Sequence, residues 1–407
     1  MLRYFATNRG MDTLARSLDR EARLKLSTGG YFFLDMCRYM SFYFAEVDEE
    51  TMPPAALELK SAETVFGPDF IGSDKVGTVV ICVHGFNVEL REASTWFRIL
   101  TDTMRHDPGL ANSFILDPDD EADRDRMAVA APASLHAFIG FSWPSAGNTV
   151  NYYGDQGRAE KSSAPLANLV VRCLLAGKRV KLICHSMGNY VACNMLAGLV
   201  TETIFVKKLL DEQEEKKERV DDILARLKRA KAVDSRIPGE VNRQDYLIDT
   251  FVMIAPDVER RHVTKVWEDT RGTVRTMTKA DAKKDSLAET YVGPYYPGIQ
   301  HLCGRVVNVY SRFDGALNIS NVAQGVKDKG LVLGDTASRL TLGLLDFLER
   351  NPDQRWEMRL GSVPHPFNAP PNFVSVNATE VAGRPIDHSD HIDCPPLVAR
   401  IARELGL

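Results

Sequence analysis

The sequence has no long, uninterrupted run of apolar residues. The amino-terminal residues lack the apolar core and cleavage site of a signal peptide. Asp35 and Arg38 interrupt the aromatic stretch between residues 31 and 44, which excludes it as a membrane-spanning helix. We therefore expect neither a signal peptide nor a membrane span, and we expect a cytoplasmic location.

Closely spaced pairs of cysteines are also missing. The seven cysteines are an odd number, and several lie inside apolar runs, where a cysteine packs as a small hydrophobic side chain. A network of disulfides is therefore not expected. The pattern favours a reducing compartment.

The chain carries no stripe of Lys and Arg above its background. The formal net charge is -5, which argues against nucleic acid as a partner. Internal repeats and low-complexity linkers are absent as well. A chain of 407 residues with 44% hydrophobic residues buries a large core, and we expect one elaborated domain.

Two acidic or histidine-rich patterns resemble metal sites without matching them. Residues 117–126 lack the glycine and the closing glutamate of a calcium-binding loop, and we predict a solvated loop that marks an insertion. His388 and His391 have the H-x-x-H spacing, but no second group of ligands with matching spacing occurs elsewhere. Metal binding is a minor alternative, and we predict no cofactor.

Strand and helix patterns alternate along the chain. Residues 76–83 are almost continuously apolar, which is typical of a parallel strand buried on both faces. The predicted fold class is α/β, with a mostly parallel central sheet, helices on both faces and ligands at the carboxyl ends of the strands. The patterns predict strands at residues 2–6, 41–47, 76–83, 137–142, 180–184, 250–255, 305–310 and 372–376, and helices at residues 93–104, 158–176, after residue 186, and at 397–405.

A charge-dense stretch separates two of the predicted core strands. Between residues 207 and 231, 16 of 25 residues are charged, and apolar residues from Val220 to Leu227 recur at helical spacing. We predict a charged helical insertion at residues 203–240, which is either a solvated helix packed on the domain or a cap or oligomer contact. A second, loop-rich insertion is predicted at residues 258–300.

The most informative pattern is a strand, a serine and a helix within residues 180–192. Ser186 follows an apolar run that ends at Cys184, and Gly188 comes two residues after the serine. This is the form of the nucleophile elbow G-x-S-x-G, in which small residues let the strand and helix approach while a strained backbone exposes the serine. Cys184 replaces the first glycine and is small enough to fit. Taken alone, the pattern also fits a serine that caps a helix.

A serine nucleophile needs a base to accept its proton and a carboxylate to orient that base. In hydrolases with a nucleophile elbow, the chain order is nucleophile, acid, histidine. Ser186, Asp314 and His388 follow this order, because Asp314 comes four residues after a predicted strand and His388 lies between the last strand and the final helix. We predict these three residues as the catalytic triad.

Two of these assignments have competitors. Asp257 directly follows the preceding strand and is also placed to cap a helix or anchor a loop, so strand order favours Asp314. His391 competes with His388 as the base, and His365 is a weaker candidate because it precedes the last predicted strand.

An oxyanion hole requires two backbone N–H groups that point at the developing charge. We predict that Met187 supplies one group and Phe86 the other, since Gly85 allows a turn at the end of the strand before Phe86. His84 and His185 lie at strand-to-loop junctions, and we interpret both as structural residues.

Several motifs along almost the whole chain together resemble one group of largely bacterial, poorly characterised serine α/β-hydrolases. The resemblance implies an α/β-hydrolase fold with Ser186 as the nucleophile. It favours His388 over His391, because the group shows a histidine followed by a serine near its carboxyl end. The chain departs from the group's pattern at Cys184 and in its long charged helix. The motifs are Ala6-Thr7-Asn8-Arg9, His84-Gly85-Phe86-Asn87, Phe141-Ser142-Trp143-Pro144-Ser145 with Tyr153 and Asp155, His185-Ser186-Met187-Gly188-Asn189, Ala255-Pro256-Asp257, Tyr310-Ser311 with Asp314, and His388-Ser389.

These patterns predict a cofactor-free serine hydrolase of the carboxylesterase type, which acts on a small-molecule acyl substrate through an acyl-enzyme. Thioesterase, lipase, amidase and acyltransferase activities stay open, as does the oligomeric state. The alternative is a hydrolase-like binding or scaffold protein without turnover. Candidates for an apolar acyl pocket are Trp143, Tyr152, Tyr153, Tyr295 and Tyr296.

Overall fold

The fold is built around a ten-stranded sheet, accompanied by a separate sheet of three short strands. It is seen in a computed structural model that describes part of the chain. The described residues are 2–9, 31–36, 58–86, 88–107, 109–110, 112–145, 152–201, 216–232, 246–259, 262–263, 266–269, 274–276, 289–291, 297–317, 359–365, 369 and 372–407.

Strands and helices alternate through the middle of the chain. The strands of the described ranges are β1 (Tyr4–Thr7), β2 (Phe32–Asp35), β3 (Glu58–Lys60), β4 (Val76–Val83), β5 (Phe114–Ile115), β6 (Leu135–Ser142), β7 (Arg179–His185), β8 (Ile248–Ile254), β9 (Val266–Asp269), β10 (Val274–Thr276), β11 (Glu289–Tyr291), β12 (Cys303–Tyr310) and β13 (Phe373–Asn377). The helices of the same ranges are α1 (Ala62–Val65), α2 (Leu90–Arg105), α3 (Glu121–Val129), α4 (Tyr152–Leu175), α5 (Gly188–Thr201), α6 (Lys217–Ala232), α7 (Pro297–His301), α8 (Ala378–Ala382) and α9 (Pro395–Leu405).

The large sheet has the strand order β13-β12-β8-β7-β4-β6-β1-β2-β3, and β5 also pairs with β6. Every neighbouring pair from β13 to β1 is parallel, whereas β2 and β3 form an antiparallel edge. The predicted α/β class with a mostly parallel sheet is therefore confirmed. The strand predicted at residues 41–47 lies outside the described residues.

The central strands are buried on both faces. Val79 and Ile81 of β4 point into one apolar core, which also contains residues of α4, α5 and α6. Val80 and Cys82 point into a second core, which contains residues of α2 and α9. Helices therefore cover both faces of the sheet, which explains why β4 is continuously apolar instead of alternating.

Helix α6 lies within the charge-dense stretch. Val220, Ile223 and Leu227 are buried in the core shared with α4 and α5, as the helical spacing predicts. Residues 202–215 and 233–245, which flank this helix, lie outside the described residues, and the assignment of 203–240 as an insertion stays a prediction. In the described residues, no helix is both long and apolar enough to cross a membrane.

The prediction of a solvated loop at residues 117–126 is wrong. Helix α3 begins in this stretch, and its N-cap Asp120 accepts a hydrogen bond from the backbone N–H of Asp123. The Asp123 side chain is fully buried and ion-paired with Arg105 and Arg126. One carboxylate of this stretch is thus paired inside the protein, which composition alone does not reveal.

Residues 258–300 include three short strands, and the assignment of this range as a loop-rich insertion stays a prediction. Strands β9, β10 and β11 form an antiparallel sheet of their own, with β9 in the middle. Helix α7 then leads back to β12. Because these strands are only three or four residues long, their sequence shows little alternation.

Candidate active site

The turn between β7 and α5 has a strained backbone at Ser186. Its φ angle is +50°, and in the described residues only Ala133 and Ala255 are further non-glycine residues with positive φ. Such a conformation costs on the order of 1–3 kcal/mol and persists only where its surroundings enforce it. Here the backbone N–H of Ser186 donates to the carbonyl of Ile254 at 3.0 Å, and the Ser186 carbonyl accepts from the N–H of Asp257 at 3.2 Å.

A buried asparagine in the first turn of α5 reinforces this geometry. The Nδ2 atom of Asn189 lies 3.1 Å from the Cys184 carbonyl, 3.0 Å from the Ser186 carbonyl and 3.3 Å from the Ile254 carbonyl. One amide group therefore connects the residues on both sides of the turn to the next strand. Its role could not be predicted from the sequence, although Asn189 is part of the motif that includes Ser186.

Two glycines allow the loop after β4 to pass directly against the serine. A Cβ atom at Gly85 would lie 2.9 Å from the Ser186 Cβ and 2.9 Å from the His185 Nδ1. A Cβ atom at Gly188 would collide with the backbone carbonyl of His84. Strand β4, its following loop and the start of α5 are therefore in close contact, and Phe86 follows Gly85 at this point.

The predicted acid and the predicted base are hydrogen-bonded to each other. The Nδ1 atom of His388 donates to Asp314 Oδ2 at 2.8 Å. The other carboxylate oxygen of Asp314 accepts the backbone N–H of Leu317 at 2.9 Å, and the side chain is fully buried. The proton of a neutral His388 therefore stays on Nδ1, where it is hydrogen-bonded to Asp314. Nε2 is then the basic nitrogen of the ring.

The surroundings of His388 favour its protonated form. Burial alone would lower the pKa of His388, but the hydrogen bond and charge of Asp314, with smaller contributions from Asp257 and Asp387, outweigh burial and raise the pKa above its usual value. Asp387 also fixes the backbone, because its Oδ1 accepts the N–H of His388 at 2.8 Å and that of Gly315 at 3.0 Å. The loops that carry Asp314 and His388 are therefore joined.

The competing histidine, His391, lies behind His388. It is fully buried, and its Nδ1 is 3.3 Å from the carbonyl oxygen of His388. Burial lowers the pKa of His391 to about 4. His391 thus supports the backbone of His388, and Asp314 makes its hydrogen bond to His388 instead. The weakest candidate, His365, bonds through Nδ1 to the hydroxyl of Ser375 at 2.7 Å.

His185 connects the serine turn to the loop of the predicted base. Its Nε2 lies 3.0 Å from the carbonyl oxygen of His388, and the two imidazole rings are 4.7 Å apart. Burial and the neighbouring His388 lower the pKa of His185 well below its usual value, so the ring is neutral. Among the described residues, neither the Ser186 hydroxyl nor His388 Nε2 has a hydrogen-bond partner.

The competing acid, Asp257, has a different partner. Its Oδ1 lies 3.1 Å from Nε of Arg359, whose Nη1 lies 3.5 Å from a carboxylate oxygen of Glu259. All three side chains are at least 95% buried. Asp257 is therefore engaged by a buried cation, while its backbone N–H binds the Ser186 carbonyl.

The remaining predicted residues fall into three groups. Met187 is buried directly after the serine, and the N–H groups of Phe86 and Met187 belong to the two backbone segments that meet here. Trp143 is fully buried and stacks on the His84 ring at 5.5 Å, which places it in the core. Tyr295, Tyr296 and the side chains of Tyr152 and Tyr153 lie outside what the structure describes. In the described part of the chain, no three His, Cys, Asp or Glu residues form a metal-binding group.

Comparisons with known proteins agree with this architecture. Residues 59–338 match the family described as "Alpha/beta hydrolase of unknown function (DUF900)". The chain is also similar to an uncharacterized protein, alr1448, of Nostoc sp. strain PCC 7120. The two are 35% identical over 406 residues, an alignment that covers 98% of this chain and 92% of the relative.

Proposed function

The chain belongs to the alpha/beta hydrolases of unknown function (DUF900), and we propose that it is a serine hydrolase that cleaves an ester of a small-molecule acyl substrate. The observation that carries the proposal is the hydrogen bond of 2.8 Å between His388 and Asp314, at the sheet edge where Ser186 adopts a strained turn. A buried carboxylate on one nitrogen of an imidazole prepares the other nitrogen to act as a base.

In the proposed reaction, the hydroxyl oxygen of Ser186 attacks the carbonyl carbon of the ester, and Nε2 of His388 accepts the hydroxyl proton. A tetrahedral intermediate forms, and its oxygen carries the negative charge. When the intermediate collapses, the bond to the leaving oxygen breaks and His388 returns the proton to the departing alcohol. Water then attacks the acyl-enzyme in the same way and releases the acid.

Two other parts of the site support this sequence of steps. Asp314 holds the Nδ1 proton of His388 and stabilises the imidazolium that forms when Ser186 loses its proton. The backbone N–H groups of Phe86 and Met187 are proposed to bind the oxyanion, a contribution of about 10²- to 10³-fold in kcat for each such donor.

Covalent labelling with a fluorophosphonate probe tests the proposal, because the probe reacts only with an activated serine. We expect wild-type protein to be labelled and Ser186→Ala not to be labelled. Ser163→Ala is a matched control, since Ser163 is a partly exposed serine on α4 whose hydroxyl donates to the Glu160 carbonyl. Absence of labelling on folded wild-type protein would overturn the proposal and favour a non-catalytic binding protein.

The same assay separates the two histidines. We expect His388→Ala to slow labelling by about 10³-fold or more, as loss of the general base does in a serine triad. His391→Ala should retain the reaction, because His391 only supports the His388 carbonyl. A series of model esters with increasing acyl chain length would then define the substrate preference.

A further inference from the structure

Two motifs of the sequence have no role in the proposed triad: Ala6-Thr7-Asn8-Arg9, and Phe141-Ser142-Trp143-Pro144-Ser145 with Asp155. The structure brings them together beside the loop after β4. Their meeting point is Arg9, which is 93% buried just beyond the end of β1. The side chains that meet here are those of Arg9, His84, Ser142, Ser145 and Asp155.

The backbone of Arg9 is held at the end of two strands. Its N–H donates to the hydroxyl of Thr7 at 3.0 Å, and this hydroxyl donates to the carbonyl of Ser142 at 2.7 Å. The ends of β1 and β6 are therefore joined, and the Arg9 side chain leaves from a fixed position.

The guanidinium of Arg9 contacts two other chain segments. Nε donates to the Ser142 hydroxyl at 2.7 Å and Nη1 approaches the Ser145 carbonyl at 3.5 Å. Nη2 donates to the Val88 carbonyl and lies 3.2 Å from Nε2 of His84. A planar group with five N–H donors is suited to such a junction, whereas a lysine ammonium is not.

These contacts fix the tautomer of His84. A backbone N–H, that of Trp143, points at Nε2 from 3.1 Å, so Nε2 must be an acceptor and the proton resides on Nδ1. Nδ1 in turn lies 2.9 Å from the Gly85 carbonyl oxygen, to which it donates. Burial, followed by the charge of Arg9, lowers the pKa of His84 well below its usual value, consistent with this neutral form.

The hydrogen bond from His84 has a direct consequence for Phe86. The carbonyl of Gly85 and the N–H of Phe86 belong to one planar peptide unit, and in a trans peptide they point in opposite directions. Holding the carbonyl oxygen of Gly85 therefore fixes the direction of the Phe86 N–H. The chain of bonds from Arg9 through His84 also polarises this peptide, which strengthens the N–H as a donor.

The far end of the same loop is held as well. The N–H of Val88 donates to the hydroxyl of Ser145 at 3.3 Å, and this hydroxyl donates to the buried carboxylate of Asp155 at 3.0 Å. Asp155 is ion-paired with Arg158 at 2.7 Å. The loop is thus anchored at Gly85 and at Val88, on both sides of Phe86.

We propose that Arg9 is a positioning residue for the oxyanion hole, which acts through His84 and the Gly85–Phe86 peptide to aim the Phe86 N–H. This inference rests on the proposed serine hydrolase function for its catalytic consequence. It assigns a role to the two motifs that the triad leaves unexplained.

The test compares Arg9→Met with Arg3→Met. Arg3 lies just before the other end of β1 and pairs with Asp35 at 2.8 Å and Asp117 at 3.0 Å, so it is a matched paired arginine away from the loop. For hydrolysis of a model ester, we expect Arg9→Met to lower kcat by about 10- to 100-fold, as a misplaced catalytic group does, with KM changed by less than about threefold. Arg9→Lys should recover only part of this loss.

A second readout separates aiming of the Phe86 N–H from general damage. The oxyanion hole stabilises a developing oxygen anion better than a sulfur anion. Wild type and Arg3→Met should therefore hydrolyse an ester with a much higher kcat than the matching thionoester. In Arg9→Met the ratio of these two kcat values should be smaller. Equal kcat and equal preference in Arg9→Met and Arg3→Met would overturn the proposal.

Hydrogen exchange measured by mass spectrometry provides a readout that does not need activity. Amides in the peptide spanning residues 84–90 should exchange faster in Arg9→Met and unchanged in Arg3→Met. If wild-type protein neither hydrolyses esters nor reacts with the probe, the proposed function is wrong, and unchanged exchange in Arg9→Met would separately refute the anchoring. Should Arg9→Met not fold, Ser145→Ala, which removes the hydroxyl that accepts the Val88 N–H and donates to Asp155, must show the same local change or the proposal fails.

Discussion

Two aspartates follow neighbouring parallel strands at the same edge of the sheet, yet they have different surroundings. Asp257 comes after β8 and Asp314 after β12, and both are buried. The carboxylate of Asp257 faces the guanidinium of Arg359, whereas that of Asp314 faces the imidazole of His388. Both residues therefore have similar positions after their strands. They differ in the side chain that each carboxylate contacts.

The difference shows how two carboxylates that both act on His388 are kept from being equivalent. Arg359 compensates the charge of the Asp257 carboxylate. The backbone N–H of Asp257 holds the Ser186 carbonyl. Asp314 has a backbone N–H, that of Leu317, on one oxygen and His388 on the other. Under the proposed function, only Asp314 is bonded to the base.

The largest expected effect comes from removing each carboxylate charge in turn. Asp314→Asn should lower kcat/KM for a model ester by about 10³- to 10⁴-fold, because an amide in place of the carboxylate favours the wrong tautomer of His388. Asp257→Asn should lower it by less than about tenfold, since its backbone N–H remains. Steady-state kinetics of the two purified variants measure this difference, and a larger loss in Asp257→Asn would reverse the assignment of the acid.

The second expected effect is on stability. Arg359→Met leaves two buried carboxylates, Asp257 and Glu259, without their cation, and removing one partner of a buried pair costs about 3–5 kcal/mol. Urea denaturation followed by circular dichroism measures the free energy of unfolding. The control Arg98→Met removes a half-exposed pair with Asp102 on α2, which should cost at most about 1 kcal/mol. Similar losses in both variants would mean that Arg359 contributes no more than a surface ion pair.

The smallest expected effect is a shift in the pH profile. Attack requires neutral His388, so kcat/KM should fall as the pH decreases through the pKa of His388, which lies above its usual value. Asp257 is one of the charges that raise this pKa, so Asp257→Asn should move the acidic limb to lower pH. Arg359→Met leaves that charge uncompensated and should move the limb to higher pH. If the acidic limbs of the pH profiles coincide in wild type and both variants, the charge of Asp257 does not affect the pKa of His388.

Much of the fold follows from periodicity in the sequence. Strands β4 and β7 and helix α9 occur close to where apolar runs and helical spacing predict them, because burial on one or both faces dictates their composition. Helix α3 is not predicted because its sequence is mostly charged, and the burial of Asp123 depends on Arg105, which precedes the helix. Such pairings depend on tertiary structure and leave no local signal.

Some features of the candidate site can likewise be predicted from the sequence, and others depend on tertiary structure. The elbow at Ser186 and the order of Asp314 and His388 are readable because a strand-turn-helix pattern and chain order are local or topological features. The difference in surroundings between Asp257 and Asp314 depends on Arg359, which lies about a hundred residues beyond Asp257 in the sequence. The contacts of Asn189 and Arg9 likewise exist only once the strands are side by side.

Leu317 and Arg359, on either side of residues 318–358, contact Asp314 and Asp257. Leu317 ends the turn that contains Asp314, and Gly361, two residues after Arg359, packs against the Leu317 side chain and donates its N–H to the Pro256 carbonyl at 3.0 Å. A Cβ atom at Gly361 would collide with the Leu317 side chain and with the backbone between Ala255 and Pro256. A single substitution at Gly361 would therefore disturb the surroundings of both aspartates at once.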